Sequence, residues 1–136
     1  MKKIFIVLAL FSLAGCSTTP VSPKAAKEVP AVIKYQKNEN KTALTIIRDK
    51  GFIAGGCEIT IYINGDQLAN LDTSEKVTAY VDPGEVIIGA GFIGSGLCHG
   101  PERKERSFTI KSNTPRYFRV FIDQSANVDI LASTIE

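Results

Sequence analysis

The residues of this chain best equipped for chemistry are its three cysteines and its one histidine. Cys57, Cys98 and His99 would have to converge to make a metal centre or an activated thiol. Zinc normally takes four ligands, and the chain has no second histidine to help supply them. A Cys–His nucleophile needs both side chains within hydrogen-bond reach, whereas neighbours on a strand point to opposite faces. The carboxylates Glu58, Asp66, Asp72, Glu75, Asp82 and Glu85 mostly fall beside predicted turns, and no two pair for general acid–base work. Gly89-Ala90-Gly91-Phe92-Ile93-Gly94 matches G-x-G-x-x-G. A nucleotide site needs a helix after that motif and an acidic residue about twenty positions on. Here the motif leads into a loop, SGLCHGPERKER, and residues 110–114 carry no carboxylate. The expectation is no catalytic residue, no metal and no cofactor.

The remaining cysteine sits in different surroundings. Lys2 and Lys3 precede an apolar run over residues 4–14, which is shorter than the ~20 residues that cross a bilayer. The run ends in Leu13-Ala14-Gly15-Cys16, which resembles the bacterial lipobox. That resemblance implies cleavage before Cys16, lipidation of its thiol and acylation of the new amine. Several acyl chains, at ~0.8 kcal/mol per buried methylene, anchor a protein where one binds only marginally. Ser17 resembles the default residue for sorting to the outer membrane. The implied address is the outer membrane, lipid-anchored and facing the periplasm. In that oxidising compartment the pair Cys57 and Cys98 reads as a disulfide. Closing that loop is worth ~4 kcal/mol on a chain-entropy basis.

Removing the signal peptide also changes the charge. The whole chain has a formal charge of +2, but Lys2 and Lys3 leave with the leader, so the mature side chains balance. Nucleic acid is not an expected partner. Residues 17–41 hold Pro20, Pro23, Pro30 and lysines 24, 27, 34, 37 and 41, the composition of a solvated extended spacer, and a contact between these lysines and anionic lipid is the sharper alternative. The organisation expected is a lipoprotein signal peptide over 1–15, a lipidated cysteine and flexible tether over 16–41, and one domain over 42–136.

From Thr42 onward the apolar residues recur with period two, the signature of strands. In CEITIYIN, Cys57, Ile59, Ile61 and Ile63 share a face; KVTAYVD, SFTIK and RYFRVFID alternate likewise, and TALTIIRD, EVIIGA and NVDILAS complete the set. Asn64-Gly65 suits a tight hairpin, and Asp82-Pro83-Gly84-Glu85 suits a type II turn. The fold class expected is all-β: a small antiparallel β-sandwich of about seven strands, with an open barrel as the alternative. The segments GFIAGGC (51–57) and GFIGSGLC (91–98) echo one another, and each ends at a cysteine.

Tyr62, Tyr80, Tyr117, Arg119 and Phe121 fall on the phases opposite to the apolar faces. Tyrosine and arginine are enriched at interfaces, which makes these residues candidates for binding a partner. Arg103, in the charged run after Pro101, is a further one. IYINGDQLANL followed by VTAYVDPGEVII resembles the PEGA-like periplasmic β-domains found in bacterial lipoproteins, a domain-of-unknown-function group. The P-E-G-A tetrapeptide itself is missing, and the two cysteines are not part of that pattern. The resemblance implies an interaction module that contacts an envelope protein or glycan, and it supplies no catalytic residue. The alternative is an inhibitor or immunity-type lipoprotein that blocks a wall-degrading enzyme through the loop over 94–105.

Overall fold

Strict in–out alternation, broken by turns rather than by helical stripes, dictates sheets that bury one face each. The computed structural model describes residues 17–135 and shows that outcome. The strands are β1 (Lys27–Glu28), β2 (Thr42–Arg48), β3 (Ile59–Ile63), β4 (Asp66–Leu71), β5 (Glu75–Val81), β6 (Gly84–Phe92), β7 (Lys104–Ile110), β8 (Arg116–Ile122) and β9 (Val128–Ser133). They form a five-stranded sheet in the order β1-β5-β2-β8-β9 and a four-stranded sheet in the order β4-β3-β6-β7. The protein is an all-β sandwich rich in antiparallel pairing, although β1 with β5 and β2 with β8 run parallel. The sequence expectation of about seven strands misses β1 and β4. The first is only two residues long, and the second, DQLANL, alternates too weakly to stand out.

The inward residues of both sheets make one core. Leu44 and Ile46 of β2, Ile59, Ile61 and Ile63 of β3 and Phe118 of β8 are completely buried in it. Phe108 of β7 meets Phe118 across the sandwich, with ring centroids 4.6 Å apart. This arrangement gives the molecule two ends. At one, Asn64 (φ 48°) and Gly65 (φ 85°) turn β3 into β4, and Pro83-Gly84 carries the chain from β5 to β6. We call this the hairpin end. At the other, the loops over 49–58 and 93–103 and the turn over 123–127 come together, and we call this the glycine-loop end.

Residues 17–41 depart from the free spacer that their composition suggests. Thr19 and Lys50 exchange backbone hydrogen bonds of 2.8 and 3.0 Å. Val29 N–H donates to the Lys76 carbonyl at 2.8 Å, Lys76 Nζ donates to the Pro23 carbonyl, and Tyr35 is buried in the core. Once ordered in this way, the prolines cost no ladder hydrogen bonds, because most of the segment lies outside the sheets. The signal peptide and the lipidation expected at Cys16 lie outside the described residues.

Candidate functional site

The outward residues expected to bind a partner are divided between the two sheets. Tyr62 belongs to β3 in the four-stranded sheet, whereas Tyr80, Tyr117, Arg119 and Phe121 belong to β5 and β8 in the other. On the five-stranded side Arg119 is already engaged. Its guanidinium makes a two-pronged ion pair with the fully buried carboxylate of Asp49, and it lies 5.4 Å from the centroid of the Phe121 ring. Thr18 reinforces that pair, its hydroxyl donating to Asp49 Oδ2 at 3.0 Å and accepting from Ile122 N–H at 2.9 Å. Arg119 is therefore part of how the N-terminal segment is held. Tyr117 is half-buried beside it in the same strand.

The four-stranded side is arranged differently. On the outer face of β6, Gly89 and Gly91 alternate with the inward Ile88 and Ala90. Tyr62 stands opposite Gly89, which in turn faces Glu105, and Thr60 stands opposite Gly91. A Cβ on Gly91 would lie 2.9 Å from the Arg103 Cβ, and one on Gly89 would lie 3.2 Å from the Tyr62 Cβ. Gly91 is needed for this close approach, and a side chain at Gly89 would press on Tyr62. The result is a trough of about 480 Å³ lined by Tyr62, Gly91, Phe92, Pro101, Arg103 and Glu105. The Arg103 guanidinium lies 4.4 Å from the Tyr62 ring centroid, a cation–π contact, and its Nε is 3.0 Å from Glu105 Oε1. Thr60 and Gln67 both donate to Asn70 Oδ1, at 2.9 and 3.3 Å, so the same face continues as hydroxyl and amide. An aromatic ring, a guanidinium and a carboxylate around a glycine floor suit a flat, hydroxyl- or amide-bearing ligand.

Tyr80 is set apart, in a groove of about 460 Å³ at the hairpin end that also involves Lys34, Tyr35, Lys41, Asp66 and Glu85. Lys34 Nζ and the Tyr35 hydroxyl both donate to Asp66 Oδ2, at 2.5 and 2.8 Å. The hydrogen bond from Lys34 holds the Asp66 carboxyl below the usual range, and the same bond raises the Lys34 ammonium. Burial, helped by the bond to Asp66, pushes the Tyr35 hydroxyl up. These shifts follow from an internal cluster whose donors are mutually satisfied.

At the glycine-loop end, Cys57 and Cys98 stand at disulfide distance, with sulfurs 2.11 Å and Cα atoms 5.4 Å apart. Both sulfurs are used in that link, and His99 projects into solvent. Among the described residues no cluster of three or more His, Cys, Asp or Glu side chains could hold a metal ion. Sequence reasoning overlooks Arg48, which is 0 % exposed. Its Nη1 donates to the carbonyls of Cys57 and Leu71 and its Nη2 to that of Ala54, so one side chain ties the loop over 49–58 to the end of β4. Burial pulls the guanidinium pKa below that of a free arginine, and the charges of Asp72, Glu75 and Glu58 oppose the pull. Two adjacent charges, Arg48-Asp49, closing an apolar strand are the signal available in the sequence. Comparisons with protein-family models, with curated proteins and with solved structures found no match for the chain.

Proposed function

We propose that this protein is a lipid-anchored binding module of the bacterial envelope, without catalysis of its own. It presents the outer face of its four-stranded sheet to a protein or glycan partner in the periplasm. The observation that carries this reading is the Tyr62–Arg103 pair over the glycine floor of β6. Glycine weakens a strand, and at the centre of β6 it is kept where it lets Tyr62 and Arg103 stand together on the outer face. The lipobox at Cys16 and the resemblance to PEGA-like lipoprotein domains support the address and the non-enzymatic role. Ser17 favours the outer membrane within that address.

Photo-crosslinking in intact cells tests the reading, with the reactive residue at Tyr62, at Arg103, or at Tyr80 and Tyr117. Capture of an envelope protein or a peptidoglycan fragment from Tyr62 and Arg103, lost when Gly91→Val fills the trough, is the expected result. Capture from Tyr80 or Tyr117 alone moves the site to the other sheet and overturns the assignment.

A second reading has one observation in its favour. The loop over 94–105 is tied near its start by the Cys57–Cys98 link and holds Leu97 fully exposed, as a loop that plugs an enzyme would. In that case the purified protein blocks a wall hydrolase at a fixed stoichiometry, and Leu97→Asp abolishes the block.

A further inference from the structure

Where the chain enters the domain fixes how the domain faces its membrane. Thr18 is buried at the glycine-loop end, where its N–H donates to the Ile122 carbonyl at 3.1 Å. Only two peptide steps separate it from Cys16, and two residues of chain reach at most about 7 Å. A lipid carried on Cys16 is therefore attached no more than about 7 Å of chain from this end.

The same end bears the two most exposed large apolar side chains among the described residues, Phe52 at 94 % and the fully exposed Leu97. Phe52 is next to Gly51, where an added Cβ would lie 2.8 Å from Thr18 Cγ2, so its loop abuts the entry point. Leu97 is brought there by its neighbour Cys98, through the link to Cys57. Ser125 joins the two: it lines one hollow with Ser17 and another with Ala54 and Leu97. Segments 51–57 and 91–98 contain no charged residue, so nothing in them resists transfer into a headgroup layer. At the hairpin end, by contrast, the exposed Ile33 is followed directly by Lys34, which pairs with Asp66.

We infer that the glycine-loop end docks on the phospholipid leaflet that holds the anchor, with Phe52 and Leu97 inserted at the level of the upper acyl chains. This rests on the lipid-anchor part of the proposed function and is independent of the trough. Docking stands the strands away from the bilayer and sets the trough, whose Pro101 and Arg103 belong to the docked loop, beside the membrane surface, with the rest of both outer sheet faces open to the periplasm. It also removes the 94–105 loop from soluble enzymes, so it opposes the inhibitor reading.

The chain lacks tryptophan, so Phe52→Trp, Leu97→Trp and Ile33→Trp each create a single reporter. The full lipoprotein is purified from membranes and reconstituted in phosphatidylethanolamine–phosphatidylglycerol vesicles, with or without lipids brominated near the top of the acyl chain. Co-flotation with the vesicles is measured on the same samples. The expected result is that the indoles of Phe52→Trp and Leu97→Trp emit to the blue and lose most of their emission to the bromines, whereas that of Ile33→Trp does neither. Protein that floats with the Phe52→Trp and Leu97→Trp reporters unquenched overturns the docking and leaves the anchor standing. Protein that does not float, with an intact mass lacking acyl chains, overturns the anchor and the docking with it. A variant that fails to fold is recognised by far-ultraviolet circular dichroism, and Phe52→Leu, Leu97→Phe and their aspartate counterparts then decide by flotation after the acyl chains are removed: the apolar variants retain residual binding and the aspartate variants lose it, while equal binding overturns the docking.

Discussion

The two ends of the sandwich are built by different means. At the hairpin end each reversal is specified by the residues that make it, with Asn64 and Gly65 at positive φ and Pro83-Gly84 carrying the next crossing. At the glycine-loop end the loops are long, and bonds to side chains outside the turns hold them: the Cys57–Cys98 link, the Asp49–Arg119–Thr18 cluster, and Arg48, which joins the nearby carbonyls of Ala54 and Cys57 to the more distant one of Leu71. Local turn chemistry sets the reversals at one end, and the bonds from Lys34 and Tyr35 to Asp66 add to it. The other end is fastened by side chains, two of its links spanning 41 and 70 residues, and it exposes Phe52 and Leu97.

The sharpest way to break this contrast is to remove a fastening. Cys57→Ser with Cys98→Ser opens a loop with a sequence separation of 41 residues, and the expected cost is ~4 kcal/mol. Urea unfolding of the double variant measures it, and a midpoint near that of the parent protein would show that the loops hold themselves. Arg48→Met comes next. It leaves the carbonyls of Cys57, Leu71 and Ala54 without their donor, at ~1–3 kcal/mol for each unsatisfied buried group. Partial relaxation of the loops towards water should hold the total to about 3 kcal/mol. A loss below about 1 kcal/mol would mean that water replaces the guanidinium and that the clamp is not structural.

This contrast also explains what can be read from the sequence. Period-two alternation locates seven of the strands, and Asn64-Gly65 locates the β3–β4 turn, because both signals are local. The docking of residues 17–41 is invisible at that level. Its prolines and lysines carry the composition of a linker, while the contacts that order it involve Lys50, Lys76 and Ile122, distant in sequence. The division of the outward aromatics is hidden for a related reason. Alternation tells which side of a strand Tyr62 and Tyr117 occupy, but only the strand order tells that the strands belong to different sheets. The floor of the trough lies within a motif with the spacing of a nucleotide loop, Gly89 to Gly94. Its first two glycines instead sit in β6, where they admit Tyr62 and Arg103.

One glycine from each end gives a finer comparison. Gly65 has φ 85° with nothing within 4 Å of an added Cβ, so Gly65→Ala is strained by backbone conformation alone and should cost about 1 kcal/mol. Gly56 also has open space but no positive φ. There an alanine restricts the unfolded chain and should stabilise by about 0.5 kcal/mol. Thermal unfolding of the two variants should move in opposite directions. A loss at Gly56 equal to that at Gly65 would show that the glycine loop, too, is held by its own backbone geometry.

The smallest expected effect concerns the ion pair that joins the edges of the two sheets. Arg106 of β7 reaches Asp129 of β9 through two bonds, Nε to Oδ1 at 2.6 Å and Nη2 to Oδ2 at 2.8 Å. The hydrogen bonding from Arg106 holds the Asp129 carboxyl below its usual range, although burial opposes it. A carboxyl whose pKa is lower in the folded than in the unfolded chain adds stability above its unfolded pKa, about 3.9. That stability disappears as the pH falls through the lower folded value. The pair is largely open to solvent, with side chains 45 % and 28 % exposed, so Asp129→Asn should cost only ~0.2–1 kcal/mol at neutral pH. The urea midpoints of parent and variant should differ at pH 7 and converge below about pH 4. Asp66→Asn at the hairpin end should show the same pH window, since Lys34 lowers that carboxyl in the same sense. A gap at Asp129 that persists unchanged into acid would assign its cost to the bond from Ile130 N–H to Asp129 Oδ1, 2.8 Å long. The edges would then be held together by packing and backbone rather than by charge.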